Sequence, residues 1–265
     1  MIKKFYLNKY ILLIFCFTTE MMTSFAGDKP KQEIYQLTVY HYSTTAQEAV
    51  LDAYCKDALI PALHRLNYNN IGVFKSLDND TSLVKLMYVY IPLKKMDDEI
   101  SLSYKLNKDT VYINAGAAYL NAAYTTPPYN RKEVILLRAF PLAPHMQLPN
   151  LTAPKSERIY ELRSYESATE KIFSNKVKMF DEGDEIGLFK KLNFNAVFYS
   201  EVIAGDHIPN LMYMTTFENK EDRDVHWKNF NADPYWKTLS AMPEYQHNVS
   251  VIDIKFVRPT DYSDF

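Results

Sequence analysis

The chain has 265 residues, with 30 Lys and Arg against 32 Asp and Glu and a formal net charge of −2. That balance gives no electrostatic footprint for nucleic acid, which favours clustered basic side chains. With two cysteines, 21 tyrosines and 15 phenylalanines, the composition points to a fold resting on aromatic cores rather than on disulfides.

The first residues resemble a secretory signal peptide. Lys3, Lys4 and Lys9 form a basic region, Tyr10 to Phe17 is apolar, and Ser24-Phe25-Ala26 offers small residues at a peptidase site. Cleavage after Ala26 is the expectation, with the protein exported to the periplasm or secreted. The apolar run is too short for a stable span, which needs ~20 residues, so no membrane span is expected after cleavage. An uncleaved anchor or lipidation at Cys16 are the alternatives, the second disfavoured by the bulky Phe15. Removing residues 1–26 leaves 27 basic and 31 acidic side chains, and Cys55 alone, so no intrachain disulfide can form.

From residue 33 onward the chain repeats itself. Ile34-Tyr35-Gln36-Leu37 returns as Ile159-Tyr160-Glu161-Leu162, and Leu66-Asn67-Tyr68-Asn69 as Leu192-Asn193-Phe194-Asn195, at offsets of 125 and 126. The first half (33–140) reads as a strand at Ile34–Tyr42, a helix at Gln47–Leu66 bent by Pro61, and a hairpin of Ile71–Leu77 with Leu83–Ile91. A helical region at 94–123 and a strand at Glu133–Phe140 follow. Pro141, Pro144, Pro149 and Pro154 mark 141–156 as an extended linker. The second half (157–259) repeats the order with Arg158–Tyr165, Ala168–Leu192, Ala196–Ile203, Leu211–Phe217, Lys220–Met242 and Val249–Val257. Asp181-Glu182-Gly183-Asp184-Glu185 reads as a solvated break in its first helix. The offset falls to 116 if Tyr129 matches Tyr245, which predicts ~10 extra residues late in the first half.

Two β-α-β units per half predict a four-stranded antiparallel sheet with helices on one face, the ferredoxin-like arrangement. Val, Phe and Tyr fall on both alternation phases of these strands, so the second face must also be covered. The fold class expected is therefore α+β: two tandem ferredoxin-like units packed sheet to sheet as an α+β barrel. Such a chain supplies its own partner, and either a monomer or a homodimer is compatible with it.

The most specific string is Arg223-Asp224-Val225-His226-Trp227-Lys228-Asn229-Phe230, followed by Asn231-Ala232-Asp233-Pro234-Tyr235-Trp236. Asp233 is placed to cap a new helix and Pro234 to open it. Together with Ile159-Tyr160-Glu161-Leu162-Arg163-Ser164-Tyr165, this string resembles the NIPSNAP family of the dimeric α+β barrel superfamily. The resemblance covers roughly Arg158 to Pro259. It extends more weakly over 33–140, where Tyr112 and Tyr119 stand near the tryptophan positions and the Asp-Pro restart is missing. It implies the barrel fold and little about reaction.

No nucleophile elbow, zinc helix or dinucleotide turn is present. The six histidines show no metal-ligand spacing, and no metal is expected. The candidate ligand contacts are Glu161, Arg163 and Tyr165, which share one strand face, with His226 and Trp227 on the helix. If Tyr160 and Leu162 face the helices, the polar trio points between the sheets and binds a ligand, or forms a structural ion pair there. His226 and Trp227 also have plain core or boundary readings. No cofactor is identified. The leading expectation is a protein holding a small, partly apolar molecule between its sheets. The alternatives are a cofactor-independent or haem-dependent oxygenase, and an interaction module without a small ligand. A cavity of ~300 Å³ or more with convergent polar groups separates the first two from the last.

Overall fold

The computed structural model describes residues 30–265, and the expected signal segment lies outside them. The first half runs β1 (Ile34–Tyr42), α1 (Thr45–Ala53), a π-helical turn (Tyr54–Leu59), α2 (Ile60–Arg65), β2 (Gly72–Ser76) and a 3-10 turn (Leu77–Asp80). It continues with β3 (Lys85–Leu93), α3 (Asp98–Leu106), α4 (Thr110–Ala115), α5 (Ala117–Leu120) and β4 (Arg131–Ala139). The second half runs β5 (Ile159–Glu166), α6 (Glu170–Phe180), α7 (Glu185–Lys191), β6 (Phe198–Ala204), β7 (Asn210–Phe217), α8 (Lys220–Ala232), α9 (Pro234–Ser240) and β8 (Val251–Pro259). Helix starts follow their caps. Thr44 and Gln47 close a capping box on α1, and Asp233 with Pro234 restarts the chain as α9.

The eight strands form one closed barrel in the order β1-β3-β2-β8-β5-β7-β6-β4. Each half contributes four adjacent strands, and the halves join by hydrogen-bonded seams at β2·β8 and β4·β6. The sheets therefore meet edge to edge and do not merely face one another. Two other expectations are corrected. Residues 94–123 form three short helices, because Asp109 caps a fresh start and Gly116 ends it. The repeat offset falls only from 125 at β1/β5 to 120 at β4/β8 (Arg131 against Val251), so about five residues are extra and Tyr129 does not match Tyr245. Pro61 lacks the N–H a regular helix needs, and the π-helical turn just before it takes up the irregularity.

Alternation sends one phase of every strand inward. Tyr35, Leu37, Tyr90, Leu137, Tyr160, Leu162, Phe198 and Met214 belong to a single cluster drawn from both halves. At one end of the barrel the tail folds back, and the Phe265 ring packs 5.4 Å from Phe74 and 5.9 Å from Tyr90. Gly72 leaves room for the Phe74 ring in this cluster, since a Cβ there would stand 2.5 Å from it. The opposite phase packs under helices in two further clusters, one for each half.

The acidic run expected as a helix break does separate α6 from α7. Asp184 adopts a left-handed backbone (φ 51°) and accepts from Gly187 N. The run is less solvated than expected. Glu185 is buried and pairs with Lys176 at 2.9 Å, while Asp181 Oδ1 is buried without a hydrogen-bond partner. Burial pushes the Asp181 carboxyl from 3.8 up to about 6, and Glu182 adds to the rise against a hydrogen bond from the Leu142 backbone. A raised acid is protonated more readily in the folded state. Its cost is absent well below pH 3.8, grows as pH rises from there towards about 6, and is complete above that. Asp181→Asn should stabilise the protein by on the order of 1–2 kcal/mol at pH 7.5 and leave it unchanged at about pH 3. Thermal unfolding at the two pH values checks this.

Candidate functional site

The structure brings Glu161, Arg163, Tyr165 and Trp227 together, but on the wall opposite to the one expected. Tyr160 and Leu162 face the barrel interior, so the polar trio faces the helices. The reason is volume. The interior accepts large apolar side chains from all eight strands, whereas α8 brings its own polar partners to the sheet. Glu161 is fully buried. Its Oε1 accepts from Arg163 Nε at 2.6 Å and Arg223 Nη2 at 2.9 Å, and its Oε2 from Arg223 Nε and Trp227 Nε1, both at 2.8 Å. Burial alone would raise this carboxyl. The Arg223 hydrogen bonds and the two guanidinium charges outweigh it and hold the group below the usual range.

The Arg163 guanidinium lies over the Trp227 ring, 3.7 Å from its centroid, and donates through Nη1 to Tyr165 Oη at 2.8 Å. Tyr165 Oη in turn meets Tyr213 Oη at 2.9 Å. Each Glu161 oxygen accepts two hydrogen bonds from within the protein, so the network ties β5 to α8 and leaves this carboxylate committed. His226 stands apart from it. Its Nδ1 donates to the Asp222 carbonyl at 2.8 Å, and its ring sits edge-on to Phe194. The first half keeps a neutral version, with Gln36 Nε2 donating to Thr38 Oγ1 and Tyr40 Oη near Tyr119 Oη. Arg223 was missed in the sequence. Its spacing of four from Trp227 puts both on one helix face and was the available signal.

Removing the central anion strands two cations, whereas removing Arg163 leaves Glu161 paired with Arg223. Glu161→Gln should cost about 3–5 kcal/mol of stability, and Arg163→Met clearly less, about 1–3 kcal/mol. Chemical unfolding of both variants checks the order.

The space between the sheets is open at the barrel end away from Phe265. Leu37, Val39, Tyr88, Ile135, Leu162 and Met212 wall a cavity of about 170 Å³ there. Its rim carries His41, Glu133, Asp253, Lys255, Asp206 and His207. These residues converge because antiparallel pairing puts the C-terminal end of β1 beside the N-terminal ends of β3 and β4. His41 Nε2 lies 2.8 Å from Glu133 Oε1, without the alignment of a hydrogen bond. Lys255 pairs with Asp253 at 3.0 Å, and His207 Nδ1 with Glu166 at 3.1 Å. Inward phase and strand-end position mark these residues in the sequence, but only once the inward phase is known. A second cavity, of about 410 Å³, lies under the linker against α7, between Leu142, Leu148, Ile186, Phe189, Lys190 and Asn195. Among the described residues no group of three His, Cys, Asp or Glu side chains could hold a metal ion, and no helix is long and apolar enough to cross a membrane.

No curated protein matches the chain. Two solved structures share the fold over most of its length. A candidate monooxygenase from Fusobacterium nucleatum is 7% identical with a TM-score of 0.54, covering 87% of this chain and 93% of that one. Another, from Lactobacillus acidophilus, is 12% identical with a TM-score of 0.52, covering 86% and 94%. A NIPSNAP family protein of unknown function from Agrobacterium tumefaciens is 24% identical over 41% of this chain and 93% of its own, with a TM-score of 0.35. Residues 160–264 match the NIPSNAP family model. That match falls on the second half of the chain, from β5 to the tail after β8.

Proposed function

We propose that this is an exported protein of two tandem ferredoxin-like units that holds a small, partly apolar molecule at the open end of its barrel. The observation that carries the reading is the mouth itself, where an apolar wall meets a ring of titratable side chains. Barrel mouths with a few convergent polar groups are a common setting for small ligands. The volume restricts the ligand. About 170 Å³ falls short of the ~300 Å³ expected of a ligand pocket and equals roughly five waters at ~30 Å³ each, so the cavity takes only a very small molecule or the apolar end of a longer one. The polar end would meet His41, Glu133 and Lys255 on the rim. A haem does not fit this volume, and no step through one follows. Oxygenase chemistry would rest on fold likeness alone, which is weak warrant for activity.

A second reading, an interaction module without a small ligand, is favoured by the filled interior and by apolar side chains left in water on the first-half helices and the loop after them. Ile100 is 77% exposed and Tyr124 95%.

Native mass spectrometry of protein purified from its own host separates the readings. The expected result is a polypeptide starting at Gly27 that carries a small adduct, with the adduct lost in the rim variant Glu133→Gln/Lys255→Ala. A bare polypeptide, or an adduct indifferent to the rim, would overturn the ligand reading. A mass that includes Met1 in exported material would overturn cleavage.

A further inference from the structure

We propose a second ligand site, on the outer wall of the barrel at the β2·β8 seam, where Arg258 takes the carboxylate of a small organic acid. The seam sets Lys75 directly opposite Arg258. Like charges facing each other across an antiparallel pair repel. For Lys75 the repulsion is offset, since its Nζ bonds Glu48 Oε1 and Asp52 Oδ2, each at 2.7 Å. Arg258 has no such relief. Among the described residues it forms no ion pair within 4.0 Å, and its Nε is buried without an acceptor. A part-buried guanidinium with an unfilled fork is matched to a carboxylate, which it grips through two parallel N–H bonds.

Arg258 lines a groove of about 800 Å³ between α1, the π-helical turn, the 3-10 turn and the tail after β8. Leu77, Pro259 and Tyr262 supply its apolar surface. The Tyr262 hydroxyl is already committed to Asp52 Oδ1 at 2.5 Å. Charge then selects the ligand. Lys56, Lys75 and Arg258 face Glu48, Asp52, Asp80 and Asp261 around the groove, so its walls are already one charge negative. A phosphate dianion would add two charges to that imbalance, whereas a monocarboxylate with a compact apolar body adds one, beside an Arg258 that has no ion pair among the described residues. The site lies on the outside of the wall whose inner face packs Phe74 and Val257, and is separate from the barrel mouth.

The test is isothermal titration of the purified protein, at low salt, with benzoate, benzyl alcohol and inorganic phosphate. The expected result is saturable benzoate binding that Arg258→Gln weakens by at least about tenfold and Arg258→Lys partly restores. Benzyl alcohol should not bind, and the melting temperature of ligand-free Arg258→Gln should equal that of the parent. The proposal is overturned if benzoate does not saturate, if it binds Arg258→Gln equally well, or if phosphate binds more tightly. A large drop in melting temperature for both Arg258 variants would make the residue structural and equally overturn it.

Discussion

Unpaired sheet edges are the constraint on which this molecule turns. A four-stranded unit exposes two edges of backbone N–H and C=O groups, and those groups must be satisfied or shielded. Here β2 pairs with β8 and β4 with β6, so each half closes the edges of the other. Closure creates an inside, and the inside is filled by the inward phase of all eight strands. Charged groups are then displaced to three places: the sheet–helix layers, the open barrel end and the seams, while the Tyr90 and Tyr160 hydroxyls stay inside without a hydrogen-bond partner.

The two halves solve the sheet–helix layer differently. The first uses tyrosine hydroxyl pairs and stacking, with Tyr54 bonded to Tyr112 at 2.9 Å and stacked on Tyr119 at 3.8 Å. The second uses charge, with Glu161 gripped by Arg163, Arg223 and Trp227. A buried ion network costs desolvation and contributes little net stability unless it is complete. This one is complete, and its effect is to fix where α8 sits on the sheet. That makes it a poor ligand site, because a ligand would have to displace partners already in place. The open end offers the reverse situation, where charged groups stand at the rim of an apolar wall.

Much of the fold was legible in the sequence. The recurrence of Ile34-Tyr35-Gln36-Leu37 as Ile159-Tyr160-Glu161-Leu162 gave the duplication, and Asp233-Pro234 gave the restart of α9. Glu161, Arg163 and Tyr165 were picked out on the strand and Trp227 separately on the helix, and the fold joins them in one network. What alternation could not supply was direction. Both faces of β5 are buried, so period two sorts Tyr160 from Glu161 without saying which looks inward. Polarity suggested an inward Glu161, and packing decided otherwise, since its partners come from α8, 62 and 66 residues away. The rim of His41, Glu133, Asp253 and Lys255 was missed for the same reason. Its members are far apart in the chain and converge only when the strand order is known.

Closure by a single chain is the central claim, and amide hydrogen exchange on monomeric protein tests it most directly. The β2·β8 seam rests on only three residue pairs, Phe74–Pro259, Lys75–Arg258 and Ser76–Val257, and the β4·β6 seam on four, with a bulge at Leu136/Leu137. With size verified by light scattering, backbone amides at both seams should be protected to nearly the same degree as those of β1 and β5, independent of protein concentration. Seam amides that exchange at loop rates, or that gain protection only as the protein self-associates, would show that the barrel is closed by a second chain or not at all.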